Sequence, residues 1–188
     1  MAKLRGLVSV GVCACQRNLP VAASEGAVTG LFASTVPVDA RGVPVGPART
    51  WLDTHGRPYA QRVIGGKFLG YNARRVLTFL KYTGGAPSTA GADPIGQILA
   101  IEAEQPDVAA QTSWYMEPID YLSMRFCGVA HATHASRLAM WMTDNRHLER
   151  LAYDKRLVAL MRLPEAKLPP LFAFGSIVGG VTSDVAAT

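Results

Sequence analysis

The chain has 188 residues, almost half of them apolar and only 18% charged, which is enough to bury a sizeable core and too apolar for disorder over most of its length. Its formal charge of +5 has no basic run longer than a pair such as Arg74-Arg75 behind it, so nucleic-acid binding is not expected. No apolar run reaches the roughly 18 residues that cross a bilayer, so no membrane partner is expected either. Three cysteines, Cys13, Cys15 and Cys127, make no disulfide framework and point to a reducing, cytoplasmic compartment. The start, Met1-Ala2-Lys3-Leu4-Arg5 and then Gly6 to Cys15, has the charge and small residues of a secretory signal, but its apolar run is short and contains glycine.

Residues 1–27 read as a divergent N-terminal segment. Gly6, Gly11, Asn18, Pro20 and Gly26 interrupt every period, and no helix or strand is predicted there. From residue 28 a strand is expected: Thr35, Val36 and Val38 are β-branched, and the run stops at Asp39-Ala40-Arg41-Gly42, which has turn chemistry. A second extended piece, broken by Pro44 and Pro47, closes on Trp51 and Asp53. Proline confines such a piece to an edge or a strand end. A short helix is expected over 57–65, and Gly65, Gly66 and Gly70 then read as a flexible joint. Ala73, Val76, Leu77 and Leu80 mark the inner face of a helix that Gly84 ends.

Residues 84–93 form a loop of small residues, and Asp93-Pro94 opens the next helix, with Ile95, Ile98 and Leu99 inward and Pro106 as its stop. Ser113 to Met116 reads as a buried strand, and Pro118 starts a helix that Gly128 ends. Ala130 to Ala135 is expected to be a strand that Leu138 to Met142 continues. Tyr153 to Arg162 is a helix, Pro164, Pro169 and Pro170 bracket a loop, and Gly175 to Gly179 is a short strand or turn. Strands alternating with helices, without internal repeats, argue for an α/β layered domain.

Several of these segments, in order, resemble the N-terminal domain of the FGGY family of carbohydrate kinases, most of all its xylulose-kinase-like members. Gly30, Asp39, Gly42, Pro44, Pro47, Trp51 and Asp53 fall in register with that family's strand-turn-strand. The helix from Pro94 to Pro106, the run from Trp114 to Leu122 followed by Gly128, Leu168-Pro169-Pro170-Leu171 and Gly175-Ser176 continue the match. The resemblance spans residues 28–188. It implies an α/β fold that is part of a ribonuclease-H-like domain of the actin and hexokinase ATPase type. It also implies a phosphotransferase that moves the γ-phosphoryl group of ATP, with Mg2+, to a sugar hydroxyl on a xylulose-like ketose or polyol. By register, Phe32, Ala33, Trp51 and Asp53 are the substrate-binding positions.

The same register marks departures. The family's phosphate-cradling Asp-x-Gly-Thr-x-x-x-Lys hairpin does not occur in this sequence, and neither does its Gly-rich segment with the catalytic Asp. No P-loop replaces them, since Gly65-Gly66-Lys67 is followed by Phe68. The resemblance therefore implies a truncated, partial kinase domain, its first hairpin missing, inactive alone and with no catalytic residue of its own. Leu31-Phe32-Ala33 stands where the family has Gln, then Met or Trp, then His or Ser, and an Ala33 side chain cannot hydrogen-bond a sugar hydroxyl. His55 replaces an Arg, and Gln97 a Lys.

Other constellations are read against bland alternatives. Trp51 and Asp53 suit a sugar wall or, equally, an aromatic lid over a turn-capping carboxylate. Asp120 reads as a helix-start carboxylate. His131 and His134 would point to opposite faces of a strand and lack further ligands, so no metal is expected, and Ser136 has no Gly-x-Ser-x-Gly elbow around it. Two functions remain in view: a piece of a kinase completed by a separate chain, or a non-catalytic remnant that binds a sugar or a partner. In this fold the strand at residues 28–39 normally pairs with the first hairpin, so it is expected to be an open edge prone to self-association.

Overall fold

The computed structural model describes residues 7–9 and 30–186. The strands form two small antiparallel pairs. β1 (Leu7–Ser9) pairs with β5 (Ile177–Gly180), and β2 (Val36–Val38) pairs with β4 (Trp114–Met116). The strand β1 lies where no regular structure was expected. The helices among the described residues are α1 (Arg57–Ile64), α2 (Ala73–Thr83), α3 (Pro94–Glu104), α4 (Pro106–Gln111), α5 (Pro118–Cys127), α6 (Lys155–Met161) and the short α7 (Ser183–Ala186). A further hairpin strand, β3 (Gly65–Phe68), joins α1 to α2.

The pair β2–β4 organises the interior through its period of two. Val36, Val38 and Met116 turn to one side and form a small cluster with Met124 of α5. Tyr115 turns to the other side and enters the main core with Phe79, Ile95, Ile98, Ile101, Met140 and Leu157. Helix α3 is buried over most of its surface, including Gln97, which makes it the central helix of that core.

The edge of β2 is not open. Thr35 and Arg49 exchange both main-chain hydrogen bonds at 2.8 Å, Val45 donates to Pro37 at 3.0 Å and Asp39 to Val43 at 2.9 Å. The proline-broken piece thus lies along the flank expected to be bare, as the edge rule for proline allows, and β4 occupies the other flank. The expected open edge is corrected on this geometry: both rows of β2 backbone groups have neighbours.

Three further expectations change. The glycine joint at 65–70 is a β-hairpin, with Leu69 (φ 48°) and Gly70 (φ 85°) both left-handed as a tight I′-type turn demands. Helix α2 buries Phe79 and Thr83 rather than Leu77 and Leu80, which are exposed, because the phenyl ring is the larger group and claims the core-facing side. Residues 130–135 make one parallel bridge, Ala132 to Leu171, and no strand. Reciprocal bonds between the Thr133 N–H and Ser136 Oγ (3.0 Å) and between the Ser136 N–H and Thr133 Oγ1 (3.1 Å) fold the chain back instead, and a single 3-10 turn follows at Leu138–Met140.

Candidate functional site

The four sequence-predicted positions lie on two segments, 30–35 and 49–55, that Gln97 ties together. From the start of α3 its Nε2 reaches the main-chain oxygens of Ala33 (3.2 Å), Thr50 (3.1 Å) and Ala92 (2.9 Å). One buried amide therefore anchors the strand entry, the proline-broken piece and the small-residue loop at a common point. Phe32 and Trp51 each adjoin one of the anchored carbonyls in the chain, and the two residues are 57% and 52% exposed. Ala33 is buried with φ 54°, a left-handed conformation that a non-glycine residue adopts at a cost.

Asp53 accepts from Arg49 Nη1 at 2.8 Å and from the His55 N–H at 2.8 Å. Partial burial raises its carboxyl, but the His55 N–H and the Arg49 guanidinium outweigh that and hold it below the usual range. Asp53 is thus an ionised carboxylate closing the 49–55 turn, with both oxygens already engaged. The arrangement offers two exposed aromatic faces over a fixed main chain. An exposed aromatic ring offers an apolar face for stacking and does no proton chemistry of its own.

Behind these segments lies a buried polar network. The Ser34 N–H donates to Glu117 Oε2 at 3.1 Å. Burial pushes the Glu117 carboxyl up to about 8 against the opposing pull of Arg137 and the Ser34 N–H. Arg137 is 1% exposed, donates from Nη1 to the Tyr115 carbonyl at 3.0 Å, and sets Nη2 3.2 Å from Asp120 Oδ2. Burial likewise raises Asp120, opposed by the Arg137 guanidinium. Asp120 does stand in the first turn of α5, but its partner is a buried cation and not only the helix end.

Glu117, Arg137 and the anchoring role of Gln97 were missed in the sequence. The available signals were a lone acid directly after the apolar run Trp114 to Met116 and a lone base before Leu138-Ala139-Met140. The remaining candidates have structural partners: His131 Nδ1 meets the Val129 oxygen at 2.7 Å, His134 Nε2 the Arg150 oxygen at 3.0 Å, and Ser136 is bound to Thr133. Burial raises the Cys127 thiol.

The described residues do not fit a magnesium-nucleotide site. Among them, no three His, Cys, Asp or Glu side chains are grouped to hold a metal ion. The small-residue loop is also committed elsewhere: the Ser88 N–H donates to the Asp93 carboxylate, and the Ala90 N–H to Ser88 Oγ.

The fold is that of a partial ribonuclease-H-like domain of the actin and hexokinase ATPase type. Aligned on the structure of a xylulose kinase from Rhodospirillum rubrum, 84% of this chain and 30% of that one superpose with a TM-score of 0.67 at 21% identity. A xylulose kinase structure from Brucella ovis gives 0.66 at 18% identity over the same shares. At the level of sequence, the N-terminal domain of the FGGY family of carbohydrate kinases matches residues 24–188, and the chain belongs to that family. A xylulose kinase from Streptomyces coelicolor is 29% identical over 148 residues, 78% of this chain and 28% of the relative. The chain thus spans less than a third of the length of each of these three proteins.

Proposed function

We propose that this chain is the sugar-contacting part of an ATP-dependent carbohydrate kinase acting on a xylulose-like ketose or polyol in the cytoplasm. The observation that carries this reading is the Gln97 anchor. It ties the main chains of Ala33 and Thr50, the chain neighbours of Phe32 and Trp51, to one amide, within the segments that match the family in register. In this reading Phe32 and Trp51 stack on the substrate, and Ala33 and Asp53 shape the wall without donating to it. ATP, Mg2+ and the catalytic base are met by residues outside this sequence, on a separate chain or a longer form of the protein, and the 188-residue chain turns over no ATP by itself.

The test is titration of the chain with D-xylulose and xylitol, followed by quenching of tryptophan emission, alongside a coupled assay of ATP consumption. Saturable quenching without ATP turnover is expected. Trp51→Ala should weaken binding by roughly tenfold, the worth of one exposed aromatic stacking surface. Sugar phosphorylation by the isolated chain would overturn the partial-kinase reading, and absence of sugar binding would overturn the site. The alternative, a remnant that binds sugar or a partner without catalysis, rests on the absent phosphate-binding motifs. Activity restored by adding the remaining two-thirds of a related kinase would decide against it.

A further inference from the structure

Between Thr54 and Ala92 the sequence holds no Asp or Glu, yet it carries six cations: Arg57, Arg62, Lys67, Arg74, Arg75 and Lys81. Among the described residues none of these six pairs with a carboxylate, whereas Arg41, Arg49, Arg137, Arg146 and Arg156 each do. Arg62 and Lys81 lie over the rings of Tyr59 and Tyr82, and no carboxylate offsets the positive charge of the stretch.

The same stretch exposes apolar side chains that the fold does not use. Leu69, at the tip of the β3 hairpin, is 86% exposed, and Phe68 beside it is 60% exposed. Leu69 is left-handed, a conformation that asparagine or glycine adopts at less cost, so turn geometry does not explain a leucine there. Nothing lies within 4 Å of a Cβ built on the adjacent Gly70, so the tip projects freely. Helix α2, in contact with this hairpin, exposes Leu77 and Leu80, three residues apart on one face. Helical geometry sets Arg74 and Lys81 along the flank of that stripe.

A protruding apolar tip with cations beside it is the converse of the groove or sheet edge that receives a peptide. It matches an interface with apolar interior and negative headgroups. We propose that the β3 hairpin and the outer face of α2 dock on an anionic lipid surface, with Phe68 and Leu69 entering the interface and Lys67, Arg74 and Lys81 meeting the headgroup phosphates. No span of the bilayer is involved, and no helix among the described residues is long and apolar enough to cross one.

The experiment is co-sedimentation of the full chain with phosphatidylcholine vesicles, with and without phosphatidylglycerol, at low and high salt. Binding is expected only to the anionic vesicles and should weaken with salt. Lys67→Glu with Arg74→Glu should lower the partition coefficient roughly 25-fold or more, about fivefold for each cation removed. Leu69→Asn suits the turn, so it keeps the fold, which circular dichroism would verify, and it should still lose most of the binding. Equal binding to neutral vesicles, no binding to anionic ones, or binding indifferent to both variants would overturn the proposal. Capture of an acidic protein by this face with no vesicle binding would overturn it too.

Discussion

Glu117 is held at a cost that depends on pH. Its carboxyl is raised from an ordinary 4.5 to about 8 by burial, so the folded chain holds this proton more tightly than the unfolded chain does. Stability from the protonated form is complete below 4.5 and is lost as pH rises towards 8. Glu117→Gln should therefore be neutral near pH 4 and more stable than the parent by about 2–4 kcal/mol at pH 8, measured by urea unfolding across that range. A variant whose advantage does not grow with pH would show that Glu117 is not a buried acid. Arg137 lies on the other side of the same network. Replacing it by Met strips the buried Asp120 of its cation and should cost about 3–5 kcal/mol, while the pair Asp120→Leu with Arg137→Met should recover most of that loss. Neither residue is expected to touch a ligand, so an effect on sugar binding larger than the effect on stability would contradict this assignment.

At the scale of elements, helix starts are held together by close backbone contact. A Cβ on Gly96 in the first turn of α3 would lie 2.5 Å from the Gly91 oxygen, and one on Gly56 ahead of α1 would lie 2.4 Å from the Gly96 carbonyl. The loop ending at Asp93 is thus pinched between two helix starts, and Gln97 bonds to Ala92 in that same loop. Gly96→Ala should cost about 3 kcal/mol in chemical denaturation, because backbone and not a flexible side chain must give way. It should also weaken sugar binding by displacing Gln97. Much of the element pattern was legible beforehand: α1, α2, the start of α3, β4 and α5 lie where periodicity, Asp93-Pro94 and Gly128 placed them. The segment 130–142 was misread because it is rich in apolar residues with no helical period. The side-chain bonds of Thr133 and Ser136, together with the pull of Asp120 on Arg137, decide its path instead.

For the whole molecule, β4 is the hinge of stability. Tyr115 serves the main core while Met116 and Trp114 serve the smaller one, and the Tyr115 hydroxyl donates to Glu102, which also receives Lys167 at 2.6 Å. Two clusters that share one three-residue strand should unfold together. A single calorimetric transition is expected, with Tyr115→Ala lowering it as a whole by about 3–5 kcal/mol. Two resolved transitions would separate the clusters. The flanked edges of β2 remove the reason given for self-association, so any association of the chain should respond to changes at Phe68, Leu69 and Leu77 and not to changes along β2.

The sequence by itself determined the family, the α/β class and the order of most elements. These rest on local signals: turn residues, proline and glycine punctuation, apolar spacing, and motifs in a fixed order. It also placed Phe32, Ala33, Trp51 and Asp53 on candidate walls, though it could not say what held them. Only the tertiary structure decided which face of α2 is inward, what covers β2, and that Gln97, Glu117 and Arg137 carry the polar interior. Each of these depends on contacts between residues far apart in the chain, such as Ser34 with Glu117 and Ala33 with Gln97. Local pattern cannot rank two apolar stripes on one helix, nor pair a buried acid with a base from another element. Packing settles the first, and the cost of an uncompensated buried charge settles the second.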